Sequence, residues 1–269
     1  MRNRPLLCCL VTLSTFFSMI WLLAQIEKDR RFVQFALGIC LFGSFFVLRN
    51  FTLASVVRAA FIGVLYSCSW EVPEPLDSFI IIVSIFHLGE YLAVALSNPA
   101  QLKYTSFLLN HSPAYHAAMA AAVIEFAGLH ALFGTGYVIS VVSRFGFYLT
   151  LFGDFIRKLS MIWCGAGFTH LIQYHRRSEH KLVTSGPYSL CRHPSYFGWG
   201  LWSIASQVCL CNPVCIIIYT AATYTFFAER IPHEEQTLLY LFGREYEEYR
   251  KKVPFSGIPW LDLEHPAND

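Results

Sequence analysis

Long apolar runs alternate with short polar intervals along the chain, and most of these runs have the length of a membrane-spanning helix. A helix needs about 20 apolar residues to cross the hydrocarbon core of a bilayer, with a range of about 17–25. The pattern predicts eight membrane segments, of which the last two form a helical hairpin. The predicted segments are 6–26, 32–48, 52–69, 77–97, 115–133, 136–157, 196–211 and 214–229.

Composition supports the same fold class. Of the 269 residues, 55% are hydrophobic and only 14% are charged, whereas soluble domains carry about 25% charged residues. The apolar run after Arg2 and Arg4 is longer than the core of a signal peptide, so we interpret it as a retained first helix. We therefore predict an all-α, polytopic integral membrane protein that forms a single domain over residues 1–269.

Basic residues fall mainly on the side of the membrane that holds both termini. The positive-inside rule assigns this side to the cytosol, so we expect both termini and the polar interval 158–195 to be cytosolic. The opposite side carries an acidic loop with Glu71, Glu74 and Asp77. The basic residues on the terminal side are Arg2, Arg4, Arg49, Lys103, Arg157, Lys158, Arg176, Arg177, Lys181, Arg192, Arg244, Arg250, Lys251 and Lys252.

Several ionisable residues lie inside the apolar runs. Charges there are costly, and they usually face the interior of a helix bundle or a watery cavity. A charged side chain near a helix end can instead extend to the lipid headgroups. The sequence leaves both interpretations open for Arg58, Glu90, Glu125, Arg144 and Asp154.

The stretch 180–196, HKLVTSGPYSLCRHPSY, is the longest polar interval. Gly186-Pro187 predicts a turn, and Pro194 suits the first turn of the helix that follows. This arrangement places His193 at a helix N-terminus, where free N–H groups and the helix dipole favour an anion. The alternative is a capped membrane helix whose Arg192 extends to the headgroups.

A second polar block begins beside Arg230. Pro232 predicts a break in the last membrane helix, with a new helix starting near His233. Apolar residues recur three or four apart over 238–253, which predicts an amphipathic C-terminal helix on the membrane surface or on the protein itself. Arg230 could hold a carboxylate bidentately, while Glu234 could hold an ammonium group.

Metal chemistry is disfavoured by residue spacing. The nine cysteines contain no C-x-x-C pair and lie mostly in apolar runs, as expected for buried free thiols. His170, His175 and His180 recur every five residues, which turns successive side chains by about 140° on a helix. We therefore predict no metal site.

Four stretches of the sequence together resemble the isoprenylcysteine carboxyl methyltransferase family. They are HKLVTSGPYSLCRHPSYFGW, CNPVC, AERIPHEEQTLLYLFGREYEEYRKKVPF and SGIPW. The resemblance is dense from about Phe168 to the C-terminus, and the earlier helices agree in number and topology. It implies a catalytic portion over 134–269 after N-terminal membrane helices in 1–133, with cofactor-binding segments 168–196 and 229–260.

The resemblance implies methylation of the C-terminal carboxylate of a farnesylated or geranylgeranylated cysteine, with S-adenosylmethionine as the cofactor. The substrates would be CaaX-processed proteins such as Ras-type small GTPases, and the enzyme would be a monomer of the endoplasmic reticulum membrane. Its partners would be these prenylated C-termini and the lipid bilayer, with no nucleic acid.

The resemblance also implies roles for individual residues. Arg230 would be the catalytic residue and would bind the substrate carboxylate. A cytosolic loop and the residues after it would bind the cofactor. The implied cofactor-binding residues are Gln173, His180, Lys181, Leu182, Val183, Tyr188, His193, Pro194, Ser195, Tyr196 and Glu234.

Other functions stay open at this level. The shorter pattern R-H-P-x-Y-x-G plus E-E-x-x-L also occurs in other membrane methyltransferases, including phospholipid methyltransferases. A similar loop occurs in membrane sterol reductases that use NADPH, which would require a 2′-phosphate site and a steroid-shaped cavity. A non-enzymatic module for lipids or prenylated proteins would keep Arg230 and a membrane cavity but would bind no cofactor.

Overall fold

The structure is a computed structural model that describes residues 74–109, 112–134, 138–168, 181–259 and 261. The regular structure in these ranges is helical, and we number the α-helices from the first described one. The predicted segments 6–26, 32–48 and 52–69, and with them Arg58, lie outside the described residues. The helices are α1 (Glu74–Ser97), α2 (Pro113–Phe133), α3 (Ser140–Cys164), α4 (Pro194–Leu210), α5 (Pro213–Phe242) and α6 (Arg244–Lys252), with 3₁₀ turns at Pro99–Gln101, Tyr104–Phe107, Gly165–Gly167 and Gly186–Ser189.

Three of the described helices are long and apolar enough to cross a membrane. They are α1 from Pro75 onward, α2 and α5. The first two confirm the predicted segments 77–97 and 115–133. Helix α3 overlaps the predicted segment 136–157 from Ser140 onward but carries several charged residues, and α4 overlaps 196–211 as far as Leu210 with only 17 residues.

Helices α3 and α4 pack against each other at close range because glycines line their interface. A Cβ atom placed on Gly153 of α3 would lie 2.7 Å from the backbone N of Trp202, and one on Gly198 of α4 would lie 2.6 Å from the N of Arg157. Small residues permit this approach of helix backbones within a membrane, where van der Waals packing drives helix association. The close contact fixes the start of α4 against the second half of α3.

Helices α4 and α5 lie at the positions of the predicted helical hairpin, and helix α2 holds the turn between them. Asn212 in the turn donates from Nδ2 to a backbone carbonyl of α2 at 2.9 Å. Glu125 of α2 accepts from the backbone N–H groups of Val214 and Cys215, at 2.8 and 2.7 Å. A carboxylate at this position satisfies unpaired N–H groups and complements the helix dipole. Glu125 therefore caps α5.

The break that the sequence predicts at Pro232 is wrong, because α5 continues through Pro232 to Phe242. Proline removes one backbone hydrogen bond, but Ile231 and Glu235, one turn apart, are both about fully buried and hold that face of the helix in place. Tertiary packing thus overrides the local preference. The chain turns instead at Gly243, whose φ of +54° suits glycine.

The predicted amphipathic C-terminal helix is α6, which begins at Arg244 rather than near His233. Its buried side chains, Tyr246 and Tyr249, form an apolar cluster with Val253 and with partly buried residues of α5 and the segment 181–196. Its charged residues are exposed, apart from Arg250, which is half-buried. The apolar face of α6 therefore packs on the protein itself, which is one of the two locations that the sequence left open; the other was the membrane surface.

Candidate active site

A cavity of about 610 Å³ lies between α1, the segment that follows it, the end of α3, the segment 181–196 and the second half of α5. Every predicted site residue within the described ranges lines it, whereas Gln173 and His180 lie outside those ranges. The lining residues predicted from sequence are Lys181, Leu182, Val183, Tyr188, His193, Pro194, Ser195, Tyr196, Arg230 and Glu234. Residues far apart in the sequence thus share one cavity.

Arg230, Tyr196 and Glu234 form a connected polar group on the cavity wall. The Nε of Arg230 donates to the Tyr196 hydroxyl at 3.2 Å, and this hydroxyl donates to Oε2 of Glu234. Arg230 and Glu234 lie one helical turn apart on α5, with 4.0 Å between Nε and Oε2. A cation and an anion side by side can receive a ligand that carries both a carboxylate and an ammonium group.

Behind this group, Glu235 collects three hydrogen bonds on a single oxygen. Its Oε1 accepts from Nε of Arg192 at 2.9 Å and from the Tyr246 hydroxyl at 2.8 Å, and it lies 2.7 Å from Nε2 of His193. Arg192 and Glu235 have side-chain exposures of only 2% and 1%. The sequence-based alternative in which Arg192 extends to the headgroups is therefore wrong, since Arg192 is buried in an ion pair.

The position of His193 agrees in part with the sequence prediction. His193 is the N-cap of α4 and Pro194 is the first helical residue, as predicted. However, Nε2 of His193 already faces Glu235, and the imidazole lies stacked near Tyr196 with 5.6 Å between ring centroids. Any contact with a ligand anion must therefore involve the other edge of this ring or the helix terminus.

The segment around Tyr188 is held from two sides. The Tyr188 hydroxyl donates to the backbone carbonyl of Ser160 at 3.3 Å, and its own carbonyl accepts from the Tyr249 hydroxyl at 2.6 Å. Burial, and next the nearby Cys164, raise the pKa of Tyr188 well above its usual value, so it remains a neutral hydroxyl. Its ring is thus a fixed part of the cavity wall.

Four charges, three of them buried and one partly buried, link α1 and α3 beside the cavity, and the sequence analysis did not assign them to the site. Glu90 of α1 pairs with Arg157 at 2.5 Å and with Lys158 at 2.8 Å, and Lys158 also pairs with Asp154 at 2.5 Å. Arg157 lines the cavity and donates from Nη1 to the Ser195 hydroxyl at 3.3 Å. We call Glu90, Asp154, Arg157 and Lys158 the charge quartet.

The sequence carried a partial signal for the charge quartet. Asp154 and Lys158 are spaced four apart in an apolar run, and Glu90 is the lone charge in the middle of its helix. Of the two interpretations left open for Glu90 and Asp154, the structure shows an interior location for both. Of the two residues that were counted among the cytosolic charges, Arg157 is buried and Lys158 is partly buried. Arg144, by contrast, is exposed.

Aromatic rings line the other part of the cavity. Trp199 and Phe226 meet edge to face at 5.4 Å, and both line the cavity together with Phe86 and Tyr115. Phe86 is fixed by stacking on Trp202 at 4.2 Å and by the Lys158 ammonium 4.3 Å from its centroid. The cavity therefore combines a charged wall with a rigid apolar wall, which suits an amphipathic ligand.

Cysteine and metal chemistry find little support in the described part of the chain. All five cysteines there are free, and no group of three His, Cys, Asp or Glu side chains within those ranges could hold a metal ion. Burial raises the pKa of the Cys191 thiol to about 11, so this cysteine is not a thiolate at neutral pH.

Helices of membrane-spanning length around a cavity with charged and apolar walls define an α-helical membrane protein with a site for an amphipathic ligand. Comparison with known proteins narrows this class. A model of the isoprenylcysteine carboxyl methyltransferase family matches residues 145–240. The solved structure of the eukaryotic intramembrane Ras methyltransferase ICMT has a TM-score of 0.86 and 31% identity, covering 96% of this chain and 99% of that one.

Curated relatives agree with this match. The protein-S-isoprenylcysteine O-methyltransferase of Xenopus laevis is 41% identical over 211 residues, covering 76% of this chain and 73% of the relative. The Tribolium castaneum enzyme of the same name is 36% identical over 235 residues, covering 85% and 83%. The chain therefore belongs to the isoprenylcysteine carboxyl methyltransferase family, which confirms the resemblance stated from its motifs. It is a membrane methyltransferase.

Proposed function

We propose that this chain transfers a methyl group from S-adenosylmethionine to the C-terminal carboxylate of a prenylated cysteine. The observation that carries the proposal is the single cavity in which Arg230, Tyr196 and Glu234 face the same space as the aromatic wall. A prenylcysteine has one carboxylate and one long apolar chain, so its binding site needs a charged wall for the first and an apolar wall for the second. The substrates are CaaX-processed proteins of the Ras-type small GTPase class.

The described residues fit the proposed methyl donor. S-adenosylmethionine supplies an electrophilic methyl group on a sulfonium and leaves as a thioether. Glu234 can bind its ammonium group, and the backbone of Leu182 and Val183 can contact the adenine edges. A Tyr188 or Tyr196 ring can lie near the sulfonium, a cation–π contact of about 0.5–2 kcal/mol. Gln173 and His180 belong to the same proposed set.

The proposed role of the protein is alignment rather than proton transfer. In this reaction the carboxylate oxygen would form a bond to the methyl carbon, while the carbon–sulfur bond would break and leave its electron pair on sulfur. The carboxylate is already ionised at neutral pH, so no general base is needed. Arg230 would hold the carboxylate in line and help to replace its water. Alignment of this kind can contribute up to about 7–11 kcal/mol.

The prenyl chain would lie against the aromatic wall. Phe86 and Trp199 are held by their neighbours, so they offer a preformed apolar surface. A cavity of about 610 Å³ has the size used for one drug-sized ligand, about 300–1,000 Å³. The methyl donor and the whole prenyl chain need more room than this, so the chain would extend sideways between helices into the lipid.

Methyl transfer from labelled S-adenosylmethionine to a prenylated cysteine analogue, with purified protein in detergent, tests the function directly. Labelling of phosphatidylethanolamine instead would support the phospholipid alternative. A thermal shift with NADPH but none with S-adenosylmethionine would support the sterol reductase, and no donor binding at all would support the binding module. The curated relatives do not favour these alternatives.

We also propose that the protein is a monomer of the endoplasmic reticulum membrane with both termini in the cytosol. The motivation is the distribution of basic residues along the chain. Tags placed at Met1 and Asp269 in sealed microsomes should be accessible to added protease. Protection of either tag until the membrane is permeabilised would contradict this topology.

Substitution of Glu234 by glutamine should weaken binding of the methyl donor. The glutamine oxygen can still accept from the Tyr196 hydroxyl, but the charge available to an ammonium group is lost. A charge-assisted hydrogen bond contributes about 1.5–3 kcal/mol, so the apparent donor constant should rise about 10- to 100-fold.

The matched control is Glu229→Gln, since Glu229 is exposed and does not line the cavity. We expect its donor constant to equal that of the wild type in the same titration. An unchanged constant for a folded Glu234→Gln variant would show that the donor lies elsewhere.

A further inference from the structure

The chain segment after α6 lies along the start of the RHP motif, Arg192-His193-Pro194, without lining the cavity. The backbone N–H of Arg192 donates to the carbonyl of Phe255 at 3.0 Å, and that of His193 donates to the carbonyl of Ser256 at 2.7 Å. None of the residues 253–258 lines the cavity. We call this stretch the C-terminal segment. It contacts the backbone of Arg192 and His193, and the same two residues line the cavity of the proposed donor site.

The Arg192 side chain strengthens this contact. Its Nη1 donates to the backbone carbonyls of Val253 and Pro254, while its Nε donates to Glu235 on α5. One buried guanidinium therefore joins α5, the motif and the C-terminal segment. The bonds go to different acceptors in different directions, and a lysine ammonium cannot reproduce this planar arrangement.

Close backbone packing at Gly257 adds an independent observation. Its φ is +115°, and a Cβ atom placed there would lie 3.1 Å from the carbonyl oxygen of His193. Residues other than glycine rarely adopt this conformation, and the added atom would press on the motif. The C-terminal segment is thus closely packed against His193, and this packing requires glycine at position 257.

Helix α6 completes the arrangement from the other side. Tyr246 donates to Glu235 and Tyr249 donates to the carbonyl of Tyr188, and both tyrosines are buried residues. Burial, and next the Glu235 carboxylate, raise the pKa of Tyr246, so it remains a donor at any physiological pH. Residues 181–196 contain only one 3₁₀ turn before α4 begins. Their shape therefore depends on contacts with other parts of the chain.

We infer that Arg192 is a positioning residue which couples docking of the C-terminal segment to occupancy of the methyl-donor site. This inference rests on the proposed function, because it assigns the donor to the cavity face of residues 181–196. Coupling between two sites is reciprocal. If a docked C-terminal segment shapes the donor site, then a bound donor must stabilise the C-terminal segment.

Hydrogen–deuterium exchange tests the coupling in the full-length protein in detergent, with S-adenosylhomocysteine as an unreactive probe. We expect the probe to slow exchange at the amides of 181–196 and also at residues 253–258, which do not line the cavity. Arg192→Lys should abolish the second effect and raise the dissociation constant of the probe at least about tenfold. The KM for the donor should rise more than the KM for the prenylcysteine.

Two further variants keep the test decisive. Arg244→Lys makes the same substitution in an exposed pair with Glu248 and should behave like the wild type. Gly257→Ala keeps all charges but lifts the C-terminal segment from His193, and it should raise the same dissociation constant about fivefold or more. Gly257→Ala therefore decides the question if Arg192→Lys does not fold.

The outcomes separate this inference from the proposed function. Slower exchange at 181–196 without any change at 253–258 would overturn the coupling while leaving the donor site in place. Wild-type affinity in folded Arg192→Lys or Gly257→Ala protein would do the same. If the probe protects neither segment and does not bind, the proposed function fails, and the inference fails with it.

Discussion

Glu90→Gln should lower the thermal stability of the detergent-solubilised protein by about 6–20 °C. Glu90 is completely buried and accepts from both Arg157 and Lys158. Glutamine fills the same space but leaves two cations, the buried Arg157 and the partly buried Lys158, with one remaining carboxylate, Asp154. Loss of one partner from a buried ion pair costs about 3–5 kcal/mol, and each kcal/mol shifts the melting temperature by about 2–4 °C at this chain length. The fraction that remains monodisperse after heating measures the shift.

Controls for this prediction separate charge from packing. Glu248→Gln removes the same charge from an exposed pair with Arg244 and should leave the melting temperature unchanged, because exposed pairs contribute little. Adding Lys158→Met to Glu90→Gln restores neutrality and should recover part of the loss. If the double variant melts no higher than Glu90→Gln alone, uncompensated charge is not the cause.

Arg230→Lys should reduce kcat/KM for the prenylcysteine at least about tenfold, a transition-state cost of about 1.4 kcal/mol or more. Arg230 lines the cavity and donates from Nε to Tyr196. Lysine keeps the positive charge but lacks the planar fork that can hold a carboxylate in a fixed orientation. Initial rates at saturating methyl donor measure the effect, and donor affinity measured directly should change little.

The competing hypothesis is that Arg230 only anchors α5 at the membrane boundary, in which case lysine should serve equally well. Arg144→Lys is the matched control, since Arg144 is an exposed arginine on another helix, and we expect wild-type rates from it. Methylation by Arg230→Lys at a rate close to wild type would reject the carboxylate contact and favour the anchor.

Helices α1 and α2 were predictable because their apolar runs are long, and the hairpin because prolines stand at the start of both of its helices, Pro194 and Pro213. Membrane helices satisfy their own backbone hydrogen bonds, so a long apolar run is enough to predict a helix such as α1 or α2. The residues of the cavity wall were predictable for another reason. They fall within motifs that resemble a known family, and those motifs identified Arg230, Glu234 and Tyr196 before their proximity was known.

The partners of the buried charges were not predictable in the same way. Glu90 and Arg157 are 67 residues apart, and Arg192 and Glu235 are 43 apart. A single sequence shows that each charge lies in or near an apolar run, but it does not show which charges meet. The continuation of α5 through Pro232 was missed for a related reason. It depends on the burial of Ile231 and Glu235, and the helix propensity of the residues around Pro232 carries no information about that burial.

The length of α5 has a consequence for how the protein responds to its bilayer. Its 30 residues extend about 45 Å, whereas a typical hydrocarbon core is about 30 Å thick. The same continuous helix carries exposed apolar residues such as Ile217 toward one end and Arg230 and Glu234 toward the other. Hydrophobic mismatch is relieved in part by helix tilt. A change in membrane thickness that tilts α5 should therefore change the depth of Arg230 and Glu234 relative to the headgroups.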